Sequence, residues 1–332
     1  MQRVLKDARG RVAKKLRISV TDRCNFACLF CMPDKRTVKW IPQNNFLNFD
    51  EIARVVRVLA SLGIEKIRIT GGEPLLRLNL ESLVRTLTGI DGIREVDMTT
   101  NGWHLAEKAE SLKRAGLKGV TVSLHSLRRD RFRQISGIDA LPRVLKGIDA
   151  ARDSGLSPVK INTVAMKGYN DDEVIELVEF ARERNISIRF IEFMPLDGLG
   201  HWSPDKLLTG KEIADLVGRH YILHPLGREK GDTATLWGFE DGRGELGVIT
   251  PMSEPFCDDC DRIRLTSDGK LLSCLFDSRY NDLKKLLRES STDEQLEKYI
   301  MECVYRKPAG VAYMPWVRDG WTKPRAMYAI GG

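Results

Sequence analysis

The chain has 332 residues, 42% hydrophobic and 30% charged, with 53 basic against 46 acidic side chains and a formal net charge of +7. That composition excludes a disordered, fibrous or low-complexity protein, and a chain this long removes roughly 75% of its unfolded surface from water without disulfides. No run of about 18 apolar residues marks a transmembrane helix, and basic residues 1–15 lack the apolar segment of a secretion signal, so a soluble, cytoplasmic protein off the membrane is expected.

In chain order, residues 17–21 read as a strand, and Asp50 reads as the cap of an amphipathic helix ending at Leu62. Residues 65–70 form the next strand, followed by a helix over 78–87. Strands at 95–99, 118–123, 159–164 and 187–193 continue the series, with helices between them, among them 171–184. Six strands alternating with helices predict a parallel sheet curved into an incomplete (β/α)6 barrel, two units short of a closed one. From about Tyr221 the pattern changes to short strands and glycine-rich turns such as Asp241-Gly-Arg-Gly244. A boundary near residue 210 is therefore expected: residues 1–210 form the partial barrel and 211–332 an extension.

Side-chain parity predicts a site. Ile18 and Val20 alternate with Arg17, Ser19 and Thr21; Ile67 and Ile69 with Arg68 and Thr70; Val96 and Met98 with Asp97 and Thr99. The next two strands set Val120 and Val122 against Thr121, Ser123 and His125, and Val159 and Ile161 against Lys160 and Asn162. A parallel strand buried on both faces should be almost wholly apolar. One polar face lined with Arg and Lys implies an interior that holds water or an anion. The competing pattern, an antiparallel sheet with one wet face, does not explain the intervening helices.

Six of the seven cysteines fall in two short windows, Cys24/Cys28/Cys31 and Cys257/Cys260/Cys274, and Cys303 stands alone. Clusters of this kind indicate metal or redox chemistry. The first trio follows the first strand, where ligands bind in α/β architectures. Three thiolates leave a structural zinc site one ligand short, but can hold a 4Fe–4S cluster with one iron open. Zinc with a distant fourth ligand stays possible at both trios, completed at the second by Cys303 or a histidine. Arg262 and Arg264, at alternate positions after Cys260, place two guanidinium groups on one strand face. Gly71 and Gly72 permit a ligand's close approach.

Arg23-Cys-Asn-Phe-Ala-Cys-Leu-Phe-Cys31, with Gly71-Gly-Glu-Pro74 ending the second strand, resembles the signature of the radical S-adenosylmethionine enzymes. Thr99-Thr-Asn-Gly102, Phe193-Met-Pro195, the second trio and the ending Gly331-Gly332 resemble, within that family, the members that act on GTP at the start of molybdenum cofactor biosynthesis. The resemblance implies two 4Fe–4S clusters, one on each trio, and S-adenosylmethionine, contacted at Phe30, Gly72, Ser123 and Met194. It implies GTP contacts at Arg17, Arg68, Thr99, Lys160, Arg262, Ile263 and Arg264, and catalytic roles for Arg17, Arg262, Arg264, Gly331 and Gly332. The implied reaction is a radical cyclisation of GTP to its 3′,8-cyclo derivative. Implied partners are an external one-electron reductant and a downstream cyclic pyranopterin monophosphate synthase, for a monomer or homodimer that binds no nucleic acid. Phe30 stands where the family usually has tyrosine, which leaves its ring face and backbone for contact. Other readings are a different two-cluster enzyme of the same family, or a zinc-dependent nucleic-acid-binding module.

Overall fold

The computed structural model describes residues 4–32, 34–196, 200–277, 279–289, 291–311 and 326–332. Six strands carry the parallel sheet as the parity pattern predicts: β1 Lys15–Ser19, β2 Lys66–Thr70, β3 Glu95–Thr100, β4 Val120–Ser123, β5 Val159–Ala165 and β6 Ser187–Glu192. The helices between them are α1 Phe49–Ser61, α2 Leu80–Thr88, α3 Leu105–Arg114, α4 Arg129–Ser136, α5 Leu141–Asp153 and α6 Val174–Glu183, and α7 Gly210–Gly218 follows β6.

The C-terminal region adds β7 Leu223–Gly227, β8 Thr235–Phe239, β9 Glu245–Ile249, β10 Arg262–Leu265, β11 Lys270–Leu272 and β12 Asn281–Asp282, then α8 Lys284–Arg288 and α9 Asp293–Tyr305. Two of these strands extend the parallel sheet at its opposite edges. β9 pairs parallel with β6, and β10 pairs parallel with β1. The order β10-β1-β2-β3-β4-β5-β6-β9 therefore makes eight parallel strands. They do not close into a complete barrel: β10 turns to antiparallel β11, and β9 to antiparallel β8. The six units legible in the sequence are thus flanked by two strands that the second region returns to the sheet.

Helices cover the apolar parity. Leu16, Ile18, Ile67, Ile69, Val122 and Ile161 are each no more than 1% exposed and belong to one continuous core. Burying such a side chain contributes about 1.5–3 kcal/mol. α1 is capped by Asn48 rather than Asp50: Asn48 Oδ1 accepts from Glu51 N, and Glu51 returns a bond to Asn48 N, each 2.8 Å long. Asp50 lies one step inside, in the first turn. The helix read over 171–184 starts later, because Asn170 does not cap it. Its Nδ2 instead donates to the backbone oxygens of His125 and Val164, at 2.8 and 2.9 Å, and 171–173 form a short 3-10 turn.

Candidate active site

The opposite face of the sheet surrounds a cavity of about 290 Å³ lined by both cysteine trios. Cys24, Cys28 and Cys31 lie in the loop after β1, gripped by the Gly-Gly-Glu-Pro turn after β2. Gly72 N donates to Thr21 O at 2.6 Å, and Glu73 N to Arg23 O at 2.7 Å. What approaches these glycines closely is this backbone: a Cβ on Gly71 would lie 2.8 Å from Thr21 O, and one on Gly72 would run into the Arg23 carbonyl. Gly72 also lines the cavity, so its absent side chain serves the loop first and any ligand second.

The buried Glu73 carboxylate accepts from Thr100 Oγ1 and Asn101 N, both at 2.7 Å, and from Leu75 N at 3.0 Å. Burial nevertheless raises its carboxyl to about 7. Glu73 thereby holds Asn101, whose Nδ2 donates to Asn25 Oδ1 at 2.8 Å and lies 3.8 Å from Cys24 Sγ. The link from turn to thiol joins three separate segments.

Cys257, Cys260 and Cys274 line the same cavity. Arg11, paired with Asp7 at 2.5 Å, donates to Cys257 O at 2.8 Å and fixes this loop to the N-terminal segment. Cys303 is buried in α9 among apolar side chains and does not line the cavity. The seven cysteines form no disulfide. Among the described residues, no three His, Cys, Asp or Glu side chains converge on a single-ion site, the arrangement that zinc requires. Burial raises the Cys28 thiol well above its ordinary value and raises Cys24 to about 11, so thiolates there need a cationic partner. Three sulfurs spread around a cavity fit a 4Fe–4S cluster on each trio.

The inward cations occupy different rows of the sheet, Arg17, Arg68 and Arg264 in one and Lys160 in the row of Thr99 and Thr121. Arg17 is in register with Arg264 on one side and Arg68 on the other, and Thr121 with Lys160. Burial first, then the charges of Arg264, Arg68 and Arg262, lower Arg17 well below its ordinary value. Burial and then Arg262 lower Arg264 to about 10. Burial, then Arg189 and Arg68, lower Lys160 to about 8. Arg68 is the best satisfied, donating to Asp97 Oδ2 and Thr121 Oγ1 at 3.0 Å and to Thr99 Oγ1 at 3.5 Å. Arg189 Nε and Arg262 Nη2 are buried with no hydrogen-bond partner. Arg68 pairs with Asp97 and Arg262 lies 3.7 Å from Asp261, but an added anion would relieve the mutual repulsion that, after burial, lowers Arg17, Arg264 and Lys160.

Arg189, which the five-strand parity pattern does not include, lies on β6 in register with Asn162, and the same alternation places it inward. Ile263 is fully buried in the apolar core, leaving only its backbone for a ligand. Arg17, Thr99, Arg262, Arg264 and Gly332 line the cavity, whereas Arg68, Lys160, Ile263 and Gly331 stand behind that lining.

Phe30, Gly72, Ser123 and Met194 also line the cavity. Phe30 meets the His125 ring edge-on, with centroids 4.7 Å apart. His125 Nδ1 accepts from Val164 N at 3.1 Å, which leaves the ring proton on Nε2. The other four histidines lie outside the cavity lining. The Gly331-Gly332 segment reaches the C-terminal ends of β1 and β2: Thr70 Oγ1 donates to Gly332 O at 2.6 Å, and Arg264 donates to Gly331 O. Gly331 has φ +82°, and a Cβ there would lie 2.9 Å from Thr70 Cγ2.

Residues 18–181 match the Radical SAM superfamily and residues 186–313 the Molybdenum Cofactor Synthesis C family. The chain is similar in fold to Streptococcus suis SuiB bound to S-adenosylmethionine, with a TM-score of 0.62 and 17% identity over 90% of this chain and 67% of that one. Native anSMEcpe with bound AdoMet gives 0.59 and 15%, over 92% and 87%. Fold and cysteine loop together define a radical S-adenosylmethionine protein. Among curated relatives, the GTP 3′,8-cyclase of Marinobacter nauticus is 44% identical over 92% of each chain. That of Pelotomaculum thermopropionicum is 41% identical over 99% of this chain and 100% of its own. The chain belongs to the GTP 3′,8-cyclase family.

Proposed function

We propose that this chain converts GTP to (8S)-3′,8-cyclo-7,8-dihydroguanosine 5′-triphosphate, the first step of molybdenum cofactor biosynthesis. The observation that carries the reading is the cavity onto which both cysteine trios open, with Arg17, Arg262 and Arg264 in its lining and Arg262 Nη2 left without a hydrogen-bond partner. A cluster on Cys24, Cys28 and Cys31 would supply the electron that cleaves S-adenosylmethionine, yielding the 5′-deoxyadenosyl radical that takes the C3′ hydrogen of GTP. A cluster on Cys257, Cys260 and Cys274 would offer an open iron to the guanine. The C3′ radical then bonds to guanine C8, and one electron and one proton complete the product.

The chain's own residues position and enclose. Arg17, Arg68, Lys160 and Arg189 would clamp the triphosphate by charge-assisted hydrogen bonds, which would also relieve their mutual repulsion. Phe30, Gly72, Ser123 and Met194 would seat S-adenosylmethionine. Thr99 and the Arg262-Ile263-Arg264 strand would orient the substrate, with Gly331 and Gly332 completing the wall where no side chain fits. We assign residues 1–210 to the barrel and 211–332 to the cluster-bearing region that closes it. The electron would come from an external reductant, and a cyclic pyranopterin monophosphate synthase would consume the product in the cytoplasm. Anaerobic incubation with GTP, S-adenosylmethionine and dithionite should give the cyclised nucleotide with one 5′-deoxyadenosine per product. Deoxyadenosine formed without any cyclised nucleotide overturns the reading.

A further inference from the structure

Lys307 lies just beyond α9, outside every motif discussed above, and is 6% exposed. Its Nζ donates to Cys260 O at 2.7 Å, to Arg262 O at 3.0 Å and to Cys260 Sγ at 3.4 Å. A lysine ammonium has three N–H donors and no acceptor, and here three acceptors meet it. Two are carbonyl oxygens, so the sulfur is the only partner that becomes anionic. Burial keeps water from screening the pair.

This placement is built, not incidental. Arg11 donates to Pro308 O at 2.6 Å and Ala309 O at 2.9 Å as well as to Cys257 O, clasping residues 308–309 against the second cysteine loop. Gly310 completes the contact: a Cβ there would lie 2.6 Å from Cys257 Cβ and 2.9 Å from its sulfur. Segment 307–310 therefore forms one wall of the trio, with the ammonium as its charged element. At the first trio the donor beside Cys24 is the neutral Asn101 amide, and the Lys35 ammonium donates to Asn25 O at 2.9 Å.

We propose that Lys307 is a positioning residue for the second trio, holding a fixed positive charge on the Cys260 sulfur so that a cluster bound there is reduced more readily. The inference rests on the two-cluster reading above. The step concerned is the gain of one electron from an external reductant, with no bond or proton moved. It adds one negative charge, which an adjacent ammonium stabilises.

The test uses the full chain, reconstituted anaerobically, with the second cluster isolated by Cys24→Ala, Cys28→Ala and Cys31→Ala. Iron and sulfide are counted, and reduction is followed by EPR against potential. At the unmodified midpoint, Lys307→Met should show about tenfold less reduced relative to oxidised cluster, a negative shift of about 59 mV for one electron. Lys307→Gln should shift the same way, and Lys307→Arg should restore most of the loss. With the second trio replaced by alanine instead, Lys307→Met should leave the first cluster's midpoint in place.

An unshifted midpoint in Lys307→Met or Lys307→Gln with iron retained overturns the proposal. Loss of iron from the Met, Gln and Arg variants alike also overturns it, since the lysine is then only a clasp. Iron for one cluster alone in the otherwise unmodified chain would remove the two-cluster reading itself, and the lysine's role with it.

Discussion

His125 follows β4 on the inward parity, and its environment determines its charge. Burial lowers its imidazole to about 3, and Val164 N occupies Nδ1. The unfolded chain takes up a proton near the ordinary value of 6.5 while the folded chain does not, so the stability this histidine contributes is complete above 6.5 and lost as pH falls towards 3. The full difference is on the order of 5 kcal/mol, as an upper bound. His125→Asn keeps an acceptor for Val164 N and removes the titration. Urea unfolding at stepped pH should then lose less stability between 6.5 and 4 than the unmodified chain, and an unchanged slope would refute the assignment. Arg264 and Gly331 lie at the other end of the same cavity wall. Arg264→Ala should abolish cyclised nucleotide while S-adenosylmethionine cleavage continues, read as product per deoxyadenosine. Gly331→Ala combines φ +82° with a Cβ 2.9 Å from Thr70 Cγ2, and should lower that ratio roughly tenfold.

At the level of elements, the Gly-Gly-Glu-Pro turn acts as a bracket for the cysteine loop. Gly72→Ala drives a methyl into the Arg23 carbonyl, so the loop must move. The expected result is loss of iron from the first site, with the second retained, and destabilisation of about 2 kcal/mol. Full iron in both sites of Gly72→Ala would show that the turn does not hold the loop. The elements that bear the site were legible because the strands alternate apolar and polar residues at period two, as Arg17 and Arg68 do with Ile18 and Ile69. β9 and β10 were not legible as barrel strands. Leu246, Gly247 and Val248 give β9 no polar parity, and nothing local tells either strand which distant edge it will join. Asn48 and Asp50 are both cap-type residues, but only Asn48 has a glutamate three positions on, and Glu51 returns the bond that makes it the cap. Lys307 left no sequence signal at all, since its contact with Cys260 spans 47 positions.

Across the whole molecule, the net charge of +7 matters less than its concentration in one cavity wall. Burial and its cationic neighbours lower Lys160 from 10.5 to about 8, which is a cost of folding at neutral pH. The unfolded chain binds the proton more tightly than the folded one, so stability from this group rises as pH climbs from 8 towards 10.5. Discounted for its partial exposure, the cost is on the order of 2 kcal/mol at pH 7. An anion that binds only the folded state should recover such costs. Inorganic tripolyphosphate, carrying the charge of GTP without its guanine, is the simplest probe. At 100 times its Kd it should stabilise the protein by about 2.7 kcal/mol, or roughly 4 °C in melting temperature. Lys160→Met removes the buried charge, so its ligand-free melting temperature should rise while its gain from tripolyphosphate shrinks. The two changes have opposite signs because a single ammonium opposes the empty fold and favours the occupied one. A variant that melted lower when empty, yet gained as much from the anion, would place Lys160 in the scaffold rather than in the phosphate clamp.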